Sequence, residues 1–253
     1  MASLRSKDMG TVDYFDTKAR RSPNDIATYT NPCSLIASDW KEFFDFAGLP
    51  EENVDILEIG SGMGSYTIPL LQKGYKVCAV DISRESLDLL EEHALILNLK
   101  TRLSEVFHGN FYDYNSNKKY DAVLGLDVLH HIVEKRDDMC NFFLKVSSLL
   151  KPGGRIIFKE PNPLFPWRIF FLFTPTMSWQ NEKGIRFLTK RNISFALEKA
   201  GFSGIKFMNS GFLPGISKFK LLIPVEKIIG KTPLVRMLSL KRLFSAYAGQ
   251  VNL

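Results

Sequence analysis

The chain has 253 residues, 45% of them hydrophobic and 24% charged, which suits one large α/β domain and excludes a low-complexity or disordered polypeptide. No apolar run approaches the ~18–20 residues that a bilayer crossing needs. The opening MASLRSKDMGT has no apolar core behind its charges, as a secretory signal would.

In chain order, SLIASDWKEFFDFA (34–47) reads as an amphipathic helix, with Ser34 or Ser38 as its cap. VDILEI (54–59) is an apolar, buried strand, and it breaks into the alternate glycines Gly60, Gly62 and Gly64. A helix near 64–73 follows, with Pro69 early enough to kink its first turns. The alternation continues through KVCAVDI (76–82), a helix near 84–97, RLSEVFHG (102–109), YDAVLGLDV (120–128), a helix near 137–150 and GRIIFKE (154–160). Such βαβ alternation predicts a parallel sheet with helices on both faces.

After Glu160 the texture changes. PNPLFPWRIFFLFTPTMSW sets four prolines among six aromatic residues. A helix over 189–200 is started by Thr189, and GFSGIKFM (201–208) reads as a strand. PVEKIIGKTPLVRMLSLKRL is helical with a break at Gly230–Pro233. From Thr232 and Pro233 onward, Met237, Leu240, Leu243 and Phe244 share one helical face, with Arg236, Ser239 and Arg242 at its edges. SAYAGQVNL is expected as a closing strand. Cys33, Cys78 and Cys140 are scattered without a CxxC pair, which reads as reduced thiols in a cytoplasmic chain, and no metal site is expected.

A glycine turn between a strand and a helix lets a ligand approach the backbone and presents N–H groups to it. The spacing is G-x-G-x-G, with Ser65 where the G-x-G-x-x-G of nicotinamide and flavin enzymes has its third glycine. Asp81 ends the second strand 17 residues beyond Gly64, where an acid can accept hydrogen bonds from both ribose hydroxyls of an adenosine cofactor; its alternative is the cap of the helix that follows.

With these residues the sequence resembles the class I S-adenosylmethionine-dependent methyltransferases. ILEIGSGMG matches their first motif, VCAVDIS the second, YDAVLGLDVLHHI the motif of the fourth strand, and LLKPGGRIIFKE the turn into the fifth. The likeness covers about residues 54–160, with looser agreement in LEKAGF (197–202). It implies a Rossmann-like, doubly wound, mostly parallel seven-stranded sheet with a helical C-terminal insertion. It also implies S-adenosylmethionine as cofactor, with Gly60, Ser61, Gly62 and Gly64 along the amino-acid portion and Glu58 orienting the loop or receiving the amine. Asp81 would hold the ribose, Ile82 would lie beside the adenine, and Asn110 and Phe111 would occupy the loop after strand three. Asn110 departs from the family's acid, though its amide oxygen can still accept a bond. Leu126 falls near the sulfonium, and His131 supports the cofactor pocket.

His130, at the C-terminal end of the fourth strand, is the candidate general base, with Glu160 at the end of the next strand orienting it. His93 and His108 read as packing residues. Three segments follow: residues 1–50, helical and part of the cofactor and substrate cover; 51–160, the cofactor-binding core; and 161–253, a substrate-facing elaboration.

The expected acceptor is a small molecule or lipid-like amphiphile, methylated on oxygen or nitrogen in preference to carbon. Neither a base-methylating Asn/Asp-Pro-Pro motif nor a Pro-Cys nucleophile follows the fourth strand, which disfavours nucleic acid. The alternatives are an RNA methyltransferase, a nicotinamide oxidoreductase and a non-catalytic partner subunit. Charge keeps the first of these open: residues 161–253 hold 14 basic and three acidic side chains, whereas residues 1–160 hold 19 and 24. The same basic segments suggest a lid in peripheral contact with an anionic membrane, through Lys218, Lys220, Lys227 and Lys231, or a solvated helical face.

Overall fold

A computed structural model describes residues 6–21, 26, 29, 35–51, 53–165, 182–210 and 239–249. The chain divides into two compact units, one of residues 1–125 with 149–151, the other of residues 126–148 with 152–253.

The first unit holds α1 (Ser6–Arg21), α2 (Leu35–Ala47), β1 (Asp55–Ile59), α3 (Thr67–Gln72), β2 (Lys76–Asp81), α4 (Arg84–Ile96), β3 (Leu103–His108) and β4 (Tyr120–Leu126, its last residue apart). The strands run parallel in the order β3-β2-β1-β4. Ile56, Leu57 and Ile59 of β1 and Val77, Cys78, Ala79 and Val80 of β2 are buried without alternation, as in strands covered on both faces. Pro69 falls in the first turn of the short α3, where its missing N–H breaks no helical bond, so the expected kink gives way to a later helix start. Ser83 caps α4 by accepting from the Ser86 N–H. The Ser83 hydroxyl also donates to Asp16 of α1 at 2.5 Å.

The second unit holds α5 (Leu129–Ile132), most of α6 (Arg136–Leu149) and of β5 (Leu150–Pro161), then α7 (Lys190–Lys199), β6 (Phe202–Ser210) and β7 (Lys241–Ala248). Its strands follow the order β5-β7-β6, and both pairings are antiparallel. Phe158 and Phe244 face each other in register and stack at 5.5 Å, with Phe142 and Phe143 packed edge-on to Phe158. Thr189 caps α7 by accepting from the Asn192 N–H, as its position predicts. Four parallel strands in one unit and three antiparallel strands in the other, with helices between them, give an α/β fold with a mixed, seven-stranded sheet.

A further expectation is overturned. Residues 241–244, read as the end of an amphipathic helix, form the start of β7. Arg242, expected at a helix edge, is 3% exposed, and its guanidinium donates to the Leu188 carbonyl and the Asn162 side chain. As the middle strand of its unit, β7 is buried on both sides, so its sequence shows no period-two alternation to mark it as a strand. Ser239, also expected at a helix edge, is buried and non-helical, and Leu240 is non-helical too; residues 224–238 of that predicted helix lie outside the described residues, as do Lys218, Lys220, Lys227 and Lys231 and most of the aromatic segment after Phe165. Among the described residues, no helix is long and apolar enough to cross a membrane.

Candidate active site

In the first unit the chain leaves β1 through Gly60, Gly62 and Gly64, with φ of 73°, 53° and 88°. These are left-handed conformations that side-chain-bearing residues adopt at a cost. The glycines have different reasons to be bare. A Cβ on Gly64 would come within 2.6 Å of the Leu90 side chain, so this residue lets the turn pack on α4. A Cβ on Gly62 would meet nothing within 4 Å, so its backbone faces open space.

The Gly62 N–H donates to one oxygen of Asp81 at 2.7 Å, and the Ser83 N–H donates to the other at 2.8 Å. Burial raises the Asp81 pKa above the ordinary carboxylate value, against the lowering effect of these N–H bonds. Each oxygen keeps a lone pair for another donor. Ser61 is buried, and its hydroxyl makes no hydrogen bond among the described residues.

Glu58 is 2% exposed and accepts a bond from the Thr67 hydroxyl at 2.6 Å, tying β1 to the first residue of α3 across the glycine turn. Burial pushes its pKa up to about 8, with a smaller contribution from the Asp81 charge. Two aromatic donors hold the far side of the turn: Tyr29 donates to the Met63 carbonyl and the Trp40 indole donates to the Ser65 carbonyl. Ile82 is half-buried beside Asp81, and Phe111 is buried after β3. The Asn110 side-chain oxygen accepts from the Tyr112 N–H at 2.9 Å, capping a 3-10 turn.

The second unit carries a different cluster. Beyond Leu126, the half-buried last residue of β4, Asp127 turns the chain with φ 53° into α5, which holds His130 and His131. Glu160, near the end of β5, accepts from the Val128 and Leu129 N–H groups at 3.0 and 2.8 Å with one oxygen. The other oxygen lies 2.7 Å from His130 Nδ1. The pair expected between His130 and Glu160 is therefore present.

Glu182 completes the cluster, with an oxygen 2.9 Å from His130 Nε2. Burial alone would lower the His130 pKa, but its hydrogen bonds to Glu160 and Glu182, and their charges, raise it to about 9. Burial raises the Glu182 pKa, and the bond to His130 outweighs it and leaves the carboxyl below its ordinary value. The two carboxylates thus favour the protonated ring, which can donate at both nitrogens. His131 is half-buried, its ring centroid 4.0 Å from that of His130.

Glu182 carries no local sequence signal; it lies 22 positions beyond Glu160, ahead of the 3-10 turn Lys183–Phe187. Gly184 in that turn lies so close to α5 that a Cβ would sit 1.8 Å from the His130 carbonyl oxygen. The roles of Thr67, Tyr29 and Trp40 were likewise illegible, because each depends on a contact made across the fold.

A strand, a glycine turn and a helix, with an acid ending the neighbouring strand, define a Rossmann-like nucleotide-binding class. The profile of the methyltransferase-domain family matches residues 34–206, and the chain belongs to that family. It is 29% identical over 126 residues to the mitochondrial ubiquinone biosynthesis O-methyltransferase of Dictyostelium discoideum, covering 46% of this chain and 38% of that one. It is 30% identical over 114 residues to a cypemycin N-terminal methyltransferase of Streptomyces, covering 45% and 44%. The chain thus spans less than half the length of these curated relatives. In fold it resembles a geranyl diphosphate C-methyltransferase from Streptomyces coelicolor, solved with Mg2+, geranyl diphosphate and S-adenosyl-L-homocysteine. The TM-score is 0.66 at 15% identity, over 98% of this chain and all of that one.

Proposed function

We propose that the chain is an S-adenosylmethionine-dependent methyltransferase acting on oxygen or nitrogen of a small-molecule or lipid-like acceptor. One observation carries this reading: in a member of the methyltransferase-domain family, the glycine turn opens at Gly62, fixes Asp81 and holds a buried Ser61 hydroxyl that has no hydrogen-bond partner among the described residues. These features fit a ligand with a diol and a polar amino-acid end. Asp81 would accept from the ribose hydroxyls, Gly60 to Gly64 with Ser61 would line the amino-acid portion, and Ile82, Asn110 and Phe111 would border the adenine. When bound, the cofactor supplies a methyl group already activated on a sulfonium.

The chain's share is placement and proton handling. Methylation of a hydroxyl or protonated amine releases one proton. His130, whose protonated form the flanking Glu160 and Glu182 carboxylates favour, would take up that proton on its neutral ring. Ubiquinone biosynthesis O-methyltransferases recur among the relatives, which supports oxygen as the acceptor atom.

The test is to titrate the protein with S-adenosylhomocysteine by calorimetry, then incubate it with methyl-labelled cofactor and a cell extract with and without ribonuclease. The expected result is saturable binding, with label in low-molecular-mass products that ribonuclease leaves unchanged. Label confined to RNA would replace the acceptor class, and absence of binding would overturn the reading.

A further inference from the structure

We propose that His130, His131 and Glu182 form a binding site for a divalent transition-metal ion. One ligand atom from each lies within 4.8 Å of the other two. The His130 Nε2 and Glu182 oxygen are 2.9 Å apart, so they need to separate by only about half an ångström to reach the ~3.4 Å between two tetrahedral ligands each ~2.1 Å from a shared ion. That spacing is a hydrogen-bond distance. A metal ion would take the place of the hydrogen bond, with the Nε2 lone pair and the carboxylate turning to the ion and the proton leaving to solvent.

Three further features mark a built site. Glu160 fixes His130 from behind: it binds Nδ1 at 2.7 Å and is itself held by two backbone N–H groups, so Nε2 is the nitrogen presented to Glu182. This is the carboxylate–histidine arrangement that orients metal-ligating imidazoles. Second, Gly184 lets the turn after Glu182 touch the backbone of α5, an approach that any side chain would block. Third, the cluster sets two buried acids, Glu160 and Glu182, on the two nitrogens of one imidazole, a concentration of acidic groups that a divalent cation offsets.

Two imidazoles and one carboxylate suit Zn2+, Co2+ or Fe2+ better than Mg2+ or Ca2+, which favour all-oxygen shells. Three protein ligands leave a coordination position open. Its use to hold and acidify an acceptor hydroxyl rests on the function proposed above; occupancy of the site does not.

The experiment uses the full chain, stripped with a chelator and dialysed, then titrated with Zn2+ by calorimetry and with Co2+ by visible absorption. One ion per chain is expected, with Co2+ bands that Zn2+ abolishes. Because His130 is buried, the variants are placed around it. His131→Ala and Glu182→Gln should each weaken Zn2+ binding at least tenfold, and Glu160→Gln by about 10- to 100-fold. Replacing the exposed His108 with Ala should leave binding unchanged. Circular dichroism of each metal-free variant confirms its fold, and the wild-type titration decides the matter if a variant does not fold. Absence of stoichiometric binding by the wild type, or wild-type affinity in folded His131→Ala, would overturn the site. S-adenosylhomocysteine binding measured on the same stripped protein separates this outcome from failure of the methyltransferase reading.

Discussion

Asp81 and Glu58 are both buried acids beside the glycine turn, and their partners set them to different tasks. Asp81 is fixed by two N–H groups with lone pairs to spare, so Asp81→Ala should weaken S-adenosylhomocysteine binding by about 1.5–3 kcal/mol, the scale of charge-assisted hydrogen bonds. Unchanged affinity by calorimetry would remove Asp81 from the site. Glu58 has a single hydrogen-bonding side chain, Thr67, and its folded pKa of about 8 stands above its ordinary 4.5. The folded chain therefore binds more protons than the unfolded one between those values. The stabilisation from this group is full below about pH 4.5 and is lost as pH rises through about 8. Urea unfolding at a series of pH values should show that decline, and Glu58→Gln should flatten it. Both acids were legible in the sequence because they flank a local motif. The pairing of His130 with Glu160 was legible because one follows β4 and the other lies near the end of β5, the next strand in the chain, whereas Glu182 reaches Nε2 only through a backbone contact that no local pattern encodes.

Elements differ in how far local chemistry determines them. Thr189 caps the helix it was expected to start and α2 is the expected helix, whereas Ser38, a candidate cap, lies inside α2, and Ser83 takes the capping place for which Asp81 was the candidate at α4. Thr189→Ala should cost about 1 kcal/mol in chemical unfolding. The fate of β7 was not readable, because burial on both sides and a short length erase the difference between strand and helix periods. Position 184 tests the contact between the Lys183–Phe187 turn and α5. The obstruction there is backbone and cannot rotate away, so Gly184→Ala should lower stability by about 1–3 kcal/mol or more and separate Glu182 from His130. Gly153→Ala is the matched comparison: its Cβ would meet nothing, and only its φ of 72° opposes the change, at about 1 kcal/mol. Equal thermal shifts in the two variants would show that the turn can yield.

Across the whole molecule, ligand binding should register as stability. S-adenosylhomocysteine at 100 times its dissociation constant adds ~2.7 kcal/mol to the folded state. For a chain of this size that raises Tm by roughly 5–10 °C in a thermal scan. The sheet order also dictates timing. β5 and β6 each pair with β7 and not with each other, yet β7 follows both in the chain. During synthesis the strands of the second unit are made in one order and assembled in another. A nascent chain from which β6 has emerged still lacks the strand that joins it to β5, and Phe158 waits without the ring of Phe244. Ribosome-bound chains stopped before Lys241 should therefore be cleaved readily by protease within the second unit. Protection should arrive in one step once residues 241–248 have cleared the exit tunnel.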